Sequence, residues 1–270
     1  MPQASRQEQR QKLPIITKSR IVTDLRSLGL EAGQTVMMHA SVKAIGWIVG
    51  GPDVVLDAVL EVLTPTGTLM MYVAWDDGTY ELDSWPPEKQ QAYLAECPGF
   101  DSAASRSYRD WGILTEYIRT RPGAHRSANP EWSMAAIGAK AQWLTEDHAL
   151  QYGSGPGSPL DKLVQAGGKV LLLGSPLPNV TLLHYAENIA EVANKRVVRY
   201  RVPIMRGGRR EWVAIEEFDS EDGYFEMIVR EFLSAGKGRE GKVGAAQSYL
   251  FDAGELVAHG VRWMERESTR

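Results

Sequence analysis

The chain has 270 residues, of which 43% are hydrophobic and 24% charged, a composition typical of a globular protein with a large core. Its net charge of −4 and pI of about 5.8 argue against nucleic-acid binding through a broad basic face. The single cysteine, Cys97, excludes an intrachain disulfide framework and a multi-cysteine zinc site, and it fits a reducing cytoplasm.

Strands and helices alternate along the first third of the chain. Residues 1–13 are polar, lack the apolar stretch of a signal peptide and predict a flexible arm, and no later run reaches the length of a membrane helix. We therefore expect a cytoplasmic protein without a membrane or nucleic-acid partner. Helical spacing over 15–29 precedes a strand at 35–39, a helix over 52–63 with proline in its first turn, and a buried strand over 67–73.

A long aromatic and proline-marked stretch interrupts this alternation at about 74–107. Loops of that length inside a compact domain usually carry function, so we interpret the stretch as a functional insert. A helix over 110–120, a polar loop over 123–130 and a small-residue strand over 133–138 are predicted to follow.

The second half predicts a further strand and helix set together with a hairpin. A helix leading into Gly167 precedes a strand over 169–174, and the alternating pattern of 196–218 around Gly207-Gly208 predicts an antiparallel hairpin. A helix over 224–234, a basic glycine-rich link, a short strand near Tyr249 and a final helix from Ala253 complete the chain. We predict an α/β fold, a central mixed sheet flanked by helices on both faces, with a smaller hairpin region at 196–218 and one domain over 14–267.

His184 is the most informative polar residue, because it follows an apolar strand and a turn-rich loop. With Thr181 as N-cap it would lie in the first helical turn, where the helix dipole opposes a positive charge and keeps the imidazole available as a base. The alternative is a hydrogen-bonded core histidine, since its neighbours Leu182, Leu183 and Ala186 are apolar.

Two further kinds of site suggest ligands. His39 and Ser41 leave the end of a strand shortly before Gly50-Gly51 opens a helix, which can bind a phosphate or form a plain turn. Two acidic strings over 75–83 and 214–227 contain no lysine or arginine, and they suit a polycationic ligand or form solvated loops. Arg126 can hold an anion or pin its own loop.

Several enzyme classes fit poorly. A serine hydrolase of the α/β type needs a G-x-S-x-G turn, which the chain lacks. We find neither the glycine-rich coenzyme turn of the GNAT acetyltransferases nor a His-x-x-x-His metal pair. No metal is therefore expected.

Together these strings resemble the aminoglycoside 3-N-acetyltransferase family, whose fold differs from the GNAT fold, and most of all its type III branch. The resemblance spans about residues 15–263 and rests on five ordered strings: Met38-His-Ala-Ser-Val-Lys with the following Gly-Gly-Pro, Gly67-Thr-Leu-Met-Met-Tyr, His125-Arg-Ser-Ala-Asn-Pro, Thr181-Leu-Leu-His-Tyr-Ala-Glu and Gly241-Lys-Val-Gly-Ala-Ala. Asn129 departs from the family, where many members carry histidine, so it receives no catalytic role.

The resemblance implies acetyl transfer from acetyl-CoA to the 3-amino group of a deoxystreptamine ring, directly in a ternary complex and without a metal. It implies His184 as the base, with Glu226 or Glu187 as the orienting carboxylate, in a monomer or homodimer that confers antibiotic resistance. Expected coenzyme-binding residues are His39, Ser41, Val42, Lys43, Gly50, Gly51 and Ser127; expected substrate-binding residues are Tyr72, Trp75, Asp77, Asp83, Asp101 and Glu226. An acetyltransferase of another amine or amino sugar, or a non-catalytic amino-sugar-binding relative, is the alternative.

Overall fold

A computed structural model of the chain describes residues 14–75, 79–193, 195–220 and 222–268. The arm predicted at 1–13 therefore lies outside the described residues. The strands are β1 Ile15–Ile16, β2 Thr35–Ala40, β3 Trp47–Ile48, β4 Thr68–Tyr72, β5 His125–Arg126, β6 Met134–Gly138, β7 Lys169–Leu173, β8 Val197–Arg206, β9 Arg209–Phe218, β10 Arg239–Val243 and β11 Ala246–Asp252. The α-helices are α1 Lys18–Leu28, α2 Val42–Ile45, α3 Val54–Leu63, α4 Pro87–Glu96, α5 Ile113–Arg119, α6 Ala141–Thr145, α7 Pro159–Gln165, α8 Leu182–Ile189, α9 Phe225–Ser234 and α10 Ala253–Ser268.

The central sheet has seven strands in the order β10-β11-β7-β2-β4-β6-β5. Strand β2 runs parallel to both β7 and β4, whereas the outer strands pair in antiparallel fashion. The predicted mixed sheet is confirmed. Because β2, β4 and β7 run in the same direction, their carboxyl ends meet at one edge of the sheet, where ligands bind in open α/β folds.

Two apolar cores cover the two faces of this sheet. Successive residues of a strand point to opposite faces, so Met38 belongs to the core formed with α1, α3 and α5, whereas Met37 belongs to the core formed with α7 to α10. His39 shares the face of Met37 by the same alternation. The second core therefore positions α8, which carries His184, over the carboxyl end of β2.

The hairpin predicted at 196–218 is confirmed as β8 and β9, joined at Gly207 and Gly208 with φ values of 55° and 77°. Two consecutive positive φ angles are what a two-residue hairpin turn requires. The hairpin is fastened to the insert, since Phe100 donates its N–H to Pro203 at 2.7 Å and accepts from Met205 at 2.8 Å. Arg210 adds bonds to the Ala95 and Cys97 carbonyls.

Two segments differ from the sequence expectation. The stretch at 74–107 was expected to be a loop, yet it contains α4 and a 3-10 helix at Thr79–Ser84. The glycine-rich link at 236–242 ends in β10, which pairs with β11. In the part of the chain that the structure describes, no helix is long and apolar enough to cross a membrane.

Candidate active site

His184 lies in the first turn of α8, above the sheet edge where β2 and β7 end. Thr181 occupies the position before the helix, as expected, but its side chain makes no capping hydrogen bond within the described residues. The helix start is instead fixed by backbone bonds, including one from the His184 N–H to the Thr181 carbonyl at 3.1 Å. The imidazole is mostly buried, with 18% of its side chain exposed, so it is shielded yet reachable.

Glu187 is the carboxylate that contacts His184. Its Oε2 lies 2.8 Å from His184 Nδ1, and Ser220 Oγ lies 2.7 Å from the same nitrogen. The Ser220 and Tyr224 hydroxyls both donate to Glu187. Burial raises the pKa of Glu187, but these hydrogen bonds and the charge of His184 outweigh it, so the net pKa lies below its usual range. An ionised Glu187 thus holds Nδ1, which leaves Nε2 as the ring nitrogen able to accept a proton.

Two aromatic rings fix the plane of the imidazole. Trp132 meets it edge-on at 5.0 Å between ring centroids, and Phe225 does so at 4.7 Å. Phe225 is fully packed in the core at the start of α9. Contacts on two sides and a carboxylate on Nδ1 leave the ring little rotational freedom.

Glu226, the other expected partner, points elsewhere. Its Oε1 pairs with Arg230 Nε at 2.9 Å, one turn further along α9. Of the two carboxylates predicted for the role, the structure brings Glu187 to His184 and places Glu226 against Arg230.

His39 lies beneath His184. Burial, together with the neighbouring positive charge of His184, lowers the pKa of His39 to about 4, so this ring is neutral at physiological pH. Its Nε2 is buried and has no hydrogen-bond partner among the described residues. A buried unpaired ring nitrogen near His184 is a place where a bound ligand can supply the missing partner.

The other residues expected at the coenzyme lie along the same sheet edge. Ser41 precedes α2, which contains Val42 and Lys43. Gly50 and Gly51 have left-handed backbones, with φ of 91° and 100°, just before α3. The Gly51 N–H donates to the Ile48 carbonyl at 3.2 Å and is therefore already engaged. Ligand binding at these residues remains a prediction.

Ser127 is placed in the interior. Its side chain is fully buried, accepts the Met134 N–H at 2.9 Å and lies 2.8 Å from His148 Nδ1. His148 in turn bonds the Gly153 carbonyl at 2.7 Å, and burial lowers the pKa of His148 to about 4 despite that bond. The structure does not bring Ser127 to the cleft.

The expected substrate residues are scattered around the insert. Tyr72 ends β4, donates to the Glu131 carbonyl at 2.7 Å and packs against Trp132, which also contacts His184. Trp75 is buried against Phe100 and supports the insert. The remaining carboxylates follow: Asp83 and Asp101 are exposed on the insert, and Asp77 lies outside the described residues.

A cavity of about 350 Å³ opens beside Glu187. Ser220 and Tyr224 line it together with Lys195, which precedes β8, and Asp219, which follows β9. The Lys195 ammonium lies 4.9 Å from the Phe218 ring centroid. Arg126, for which an anion was one alternative, instead pins its loop by donating to the carbonyl of Val73, at 2.7 Å, and to that of Ser105.

Sequence reasoning missed Trp132, Ser220 and Tyr224. Ser220 and Tyr224 lie within or beside the acidic string at 214–227, so their segment was marked although their contact with α8 was not. Trp132 carried no signal of its own. No group of three or more histidine, cysteine or acidic side chains suited to a metal ion occurs within the ranges that the structure covers.

The α/β fold carries a carboxylate-held imidazole at its sheet edge, an arrangement that is typical of enzyme active sites. Comparison with known sequences assigns the family. The chain belongs to the aminoglycoside 3-N-acetyltransferases, whose family pattern it matches over residues 37–265.

Individual relatives agree with this assignment. The chain is 48% identical over 253 residues to aminoglycoside N(3)-acetyltransferase III of Pseudomonas aeruginosa, covering 92% of this chain and 93% of the relative. The structure of AAC-IIIb with CoASH matches with a TM-score of 0.88 at 44% identity, covering 94% and 98% of the two chains. That of AAC-VIa bound to sisomicin matches with a TM-score of 0.88 at 38% identity, covering 94% and 99%. The predicted family and its type III character are confirmed.

Proposed function

We propose that this chain transfers the acetyl group of acetyl-CoA to the 3-amino group of an aminoglycoside and so inactivates the antibiotic. The observation that carries the proposal is the contact of 2.8 Å between His184 Nδ1 and Glu187, in a chain whose relatives bind CoASH and sisomicin. An amine that is protonated near neutral pH must lose a proton before it can attack a thioester. A carboxylate-held imidazole is suited to that step.

His184 Nε2 takes the proton from the amine, and Glu187 stabilises the imidazolium that results. The amine nitrogen then forms a bond to the acetyl carbon while the carbon–sulfur bond breaks. His184 returns that proton to the departing sulfur, and the nitrogen, which still carries one excess proton after the amide bond has formed, releases it to solvent. Atoms and charges therefore balance without a covalent enzyme intermediate. Acetyl-CoA supplies the activated acetyl group as a thioester.

The coenzyme side of the site is formed by His39, the segment Ser41 to Lys43, and Gly50-Gly51. The buried, unpaired Nε2 of His39 offers a hydrogen-bonding position next to the base. The first N–H groups of α2 and the Ser41 hydroxyl can receive the negative charge that develops on the thioester oxygen. Gly50 and Gly51 allow the backbone to approach a phosphate closely, because neither carries a Cβ.

The acceptor side is formed by the insert and the hairpin. Tyr72 offers an aromatic face near the base, and Asp77, Asp83 and Asp101 are proposed amine anchors, since carboxylates attract a polycationic drug. The proposal implies a cytoplasmic enzyme that acts as a monomer or homodimer, because acetyl-CoA is the donor and the His184–Glu187 pair comes from one chain.

The test is thiol release from acetyl-CoA with gentamicin, tobramycin and kanamycin, with the acetylated nitrogen assigned by NMR of the product. We compare the wild type with His184→Ala, and with His125→Ala as a control because His125 is an exposed histidine on the outer strand β5. Wild-type turnover at the 3-amino group, lost only in His184→Ala, supports the proposal. Absence of thiol release with every drug refutes the substrate, and full activity of His184→Ala refutes the base.

A further inference from the structure

Glu217 is a buried carboxylate that the mechanism above does not use. It lies on β9 with 5% of its surface exposed, and it contacts the segment around Gly153. Its neighbour Glu216 points the other way and pairs with Arg199 at 2.6 Å. A buried carboxylate is costly unless hydrogen bonds hold it, so its partners indicate what the burial achieves.

Three N–H groups converge on Glu217. Gly153 donates to Oε2 at 2.7 Å, Phe218 donates to Oε1 at 3.3 Å, and the indole of Trp132 forms a third hydrogen bond. Both oxygens therefore act as acceptors. An amide or a protonated acid of the same shape offers one fully accepting oxygen and leaves an N–H unpaired. These hydrogen bonds favour the ionised carboxylate, but burial is the larger effect and raises the pKa of Glu217 to about 7.

Trp132 connects this carboxylate to the base. Its backbone N–H is held by Asn129 Oδ1 at 2.8 Å, and Gly153 packs so closely that an added Cβ would lie 2.6 Å from the indole Cδ1. The free edge of the ring meets His184 at 5.0 Å between centroids. Asn129 thus holds the backbone of Trp132, Gly153 packs on its ring and Glu217 holds its indole N–H. The fixed indole forms one wall of the site around the His184 imidazole.

We propose that Glu217 is a positioning residue for His184, acting through Trp132. It anchors the indole that keeps the imidazole on Glu187, and its negative charge favours the imidazolium formed during proton transfer. The inference rests on the proposed function and deepens it, because it makes the hairpin part of the proton-transfer apparatus. A purely structural role, in which Glu217 only seals the hairpin against Gly153, is the alternative.

The test compares Glu217→Gln, Trp132→Phe and the double variant with Glu216→Gln. The last removes the same charge one residue away, on the exposed side of the hairpin. Trp132→Phe keeps a ring beside His184 and removes the indole donor, and it serves as a second probe if Glu217→Gln folds poorly. Thermal unfolding of each variant reports folding, and kcat, KM and the pH profile report the site.

We expect Glu217→Gln and Trp132→Phe each to lower kcat about tenfold, with the KM for acetyl-CoA within about twofold of the wild type. The double variant loses little more than either single one, since both remove the same hydrogen bond. The loss of kcat in Glu217→Gln grows as pH rises through about 7, because wild-type Glu217 carries its negative charge only above that pH. Among the residues that the structure describes, Tyr200 faces Glu217, and His39 and Glu187 face His184.

Wild-type kcat and an unshifted pH profile in Glu217→Gln overturn the inference, as does an equal loss in Glu216→Gln. NMR distinguishes failure of this inference from failure of the proposed function, because the NMR measurement needs no substrate. The Trp132 indole signal, assigned by its loss in Trp132→Phe, and the His184 imidazole signals shift in Glu217→Gln and stay in place in Glu216→Gln. Unchanged signals in Glu217→Gln overturn the inference even if the wild type acetylates no aminoglycoside.

Discussion

Glu187→Gln is the substitution that most directly tests the base. The carboxylate accepts from His184 and Ser220 on Oε2 and from Tyr224 on Oε1. In the variant, the amide oxygen can still face Nδ1 while its NH2 group faces the Tyr224 hydroxyl, which can turn to accept. The tautomer of the ring is therefore preserved, and the substitution removes the negative charge that lies beside the imidazolium.

The magnitude follows from that single loss. A hydrogen bond to a charged group contributes about 1.5–3 kcal/mol, compared with about 1 kcal/mol for a neutral one. The difference, about 0.5–2 kcal/mol, is felt mainly when the imidazolium forms, so kcat falls by about twofold to thirtyfold. The KM for acetyl-CoA stays within about twofold, because the lost interaction is made in the transition state.

Thiol release from acetyl-CoA at saturating drug, measured from pH 6 to 9, is the assay. Glu191→Gln is the matched control, since Glu191 follows the same helix and is exposed. Tyr224→Phe removes one hydrogen bond and no charge, so a loss of about fivefold is expected. Wild-type kcat in Glu187→Gln across this range would refute the orienting role, and an equal loss in Glu191→Gln would show a nonspecific charge effect.

Three further outcomes are expected. Glu226→Gln should lose less activity than Glu187→Gln in the same assay, because Glu226 pairs with Arg230; an equal or larger loss would return the partner role to Glu226. Arg126→Gln should lower the free energy of unfolding by about 2 kcal/mol in urea titrations, because the Val73 and Ser105 carbonyls lose a buried donor. The control, Arg109→Gln, changes an exposed arginine and should alter this free energy by less than about 0.5 kcal/mol. Equal values for the two variants would contradict the pinning role of Arg126. The pKa of Glu217 rises from an ordinary 4.5 to about 7, so its contribution to stability is complete below pH 4.5 and is lost, by about 3 kcal/mol at most, as pH rises to 7. Unfolding free energies at pH 5 and 8 should show this slope in the wild type and a flatter one in Glu217→Gln, and parallel slopes would argue against it.

The sheet and its two faces could be read from the sequence because local patterns determine them. Residues 35–39 and 67–73 are apolar runs bounded by turn residues, and residues 52–63 have helical spacing. Each of these elements can therefore be predicted from its own local pattern. Helix α4 does not, since it has no buried residue and therefore no apolar stripe to produce a period. Its place depends on the hairpin it contacts.

The site divides in the same way. His184 and Glu187 are three residues apart on one helix, so their contact follows from helical geometry alone. Glu226 looked equally suitable, but Phe225 packs on the imidazole, and the next residue of a helix is turned by about 100° and faces away. Trp132 and Ser220 reach His184 from distant segments, and no local pattern records which loop meets which helix.

The backbone bonds between Phe100 and the hairpin also bear on how the preference for particular drugs can change by recombination. The proposed acceptor side consists of two separate segments of the sequence, the insert and the hairpin, which are joined by the bonds of Phe100 with Pro203 and Met205. A recombination that replaces the insert alone places Phe100 against a strand β8 that evolved with a different insert. We therefore expect changes in substrate preference to require matched changes in the insert and the hairpin, and chimaeras should exchange these two segments together.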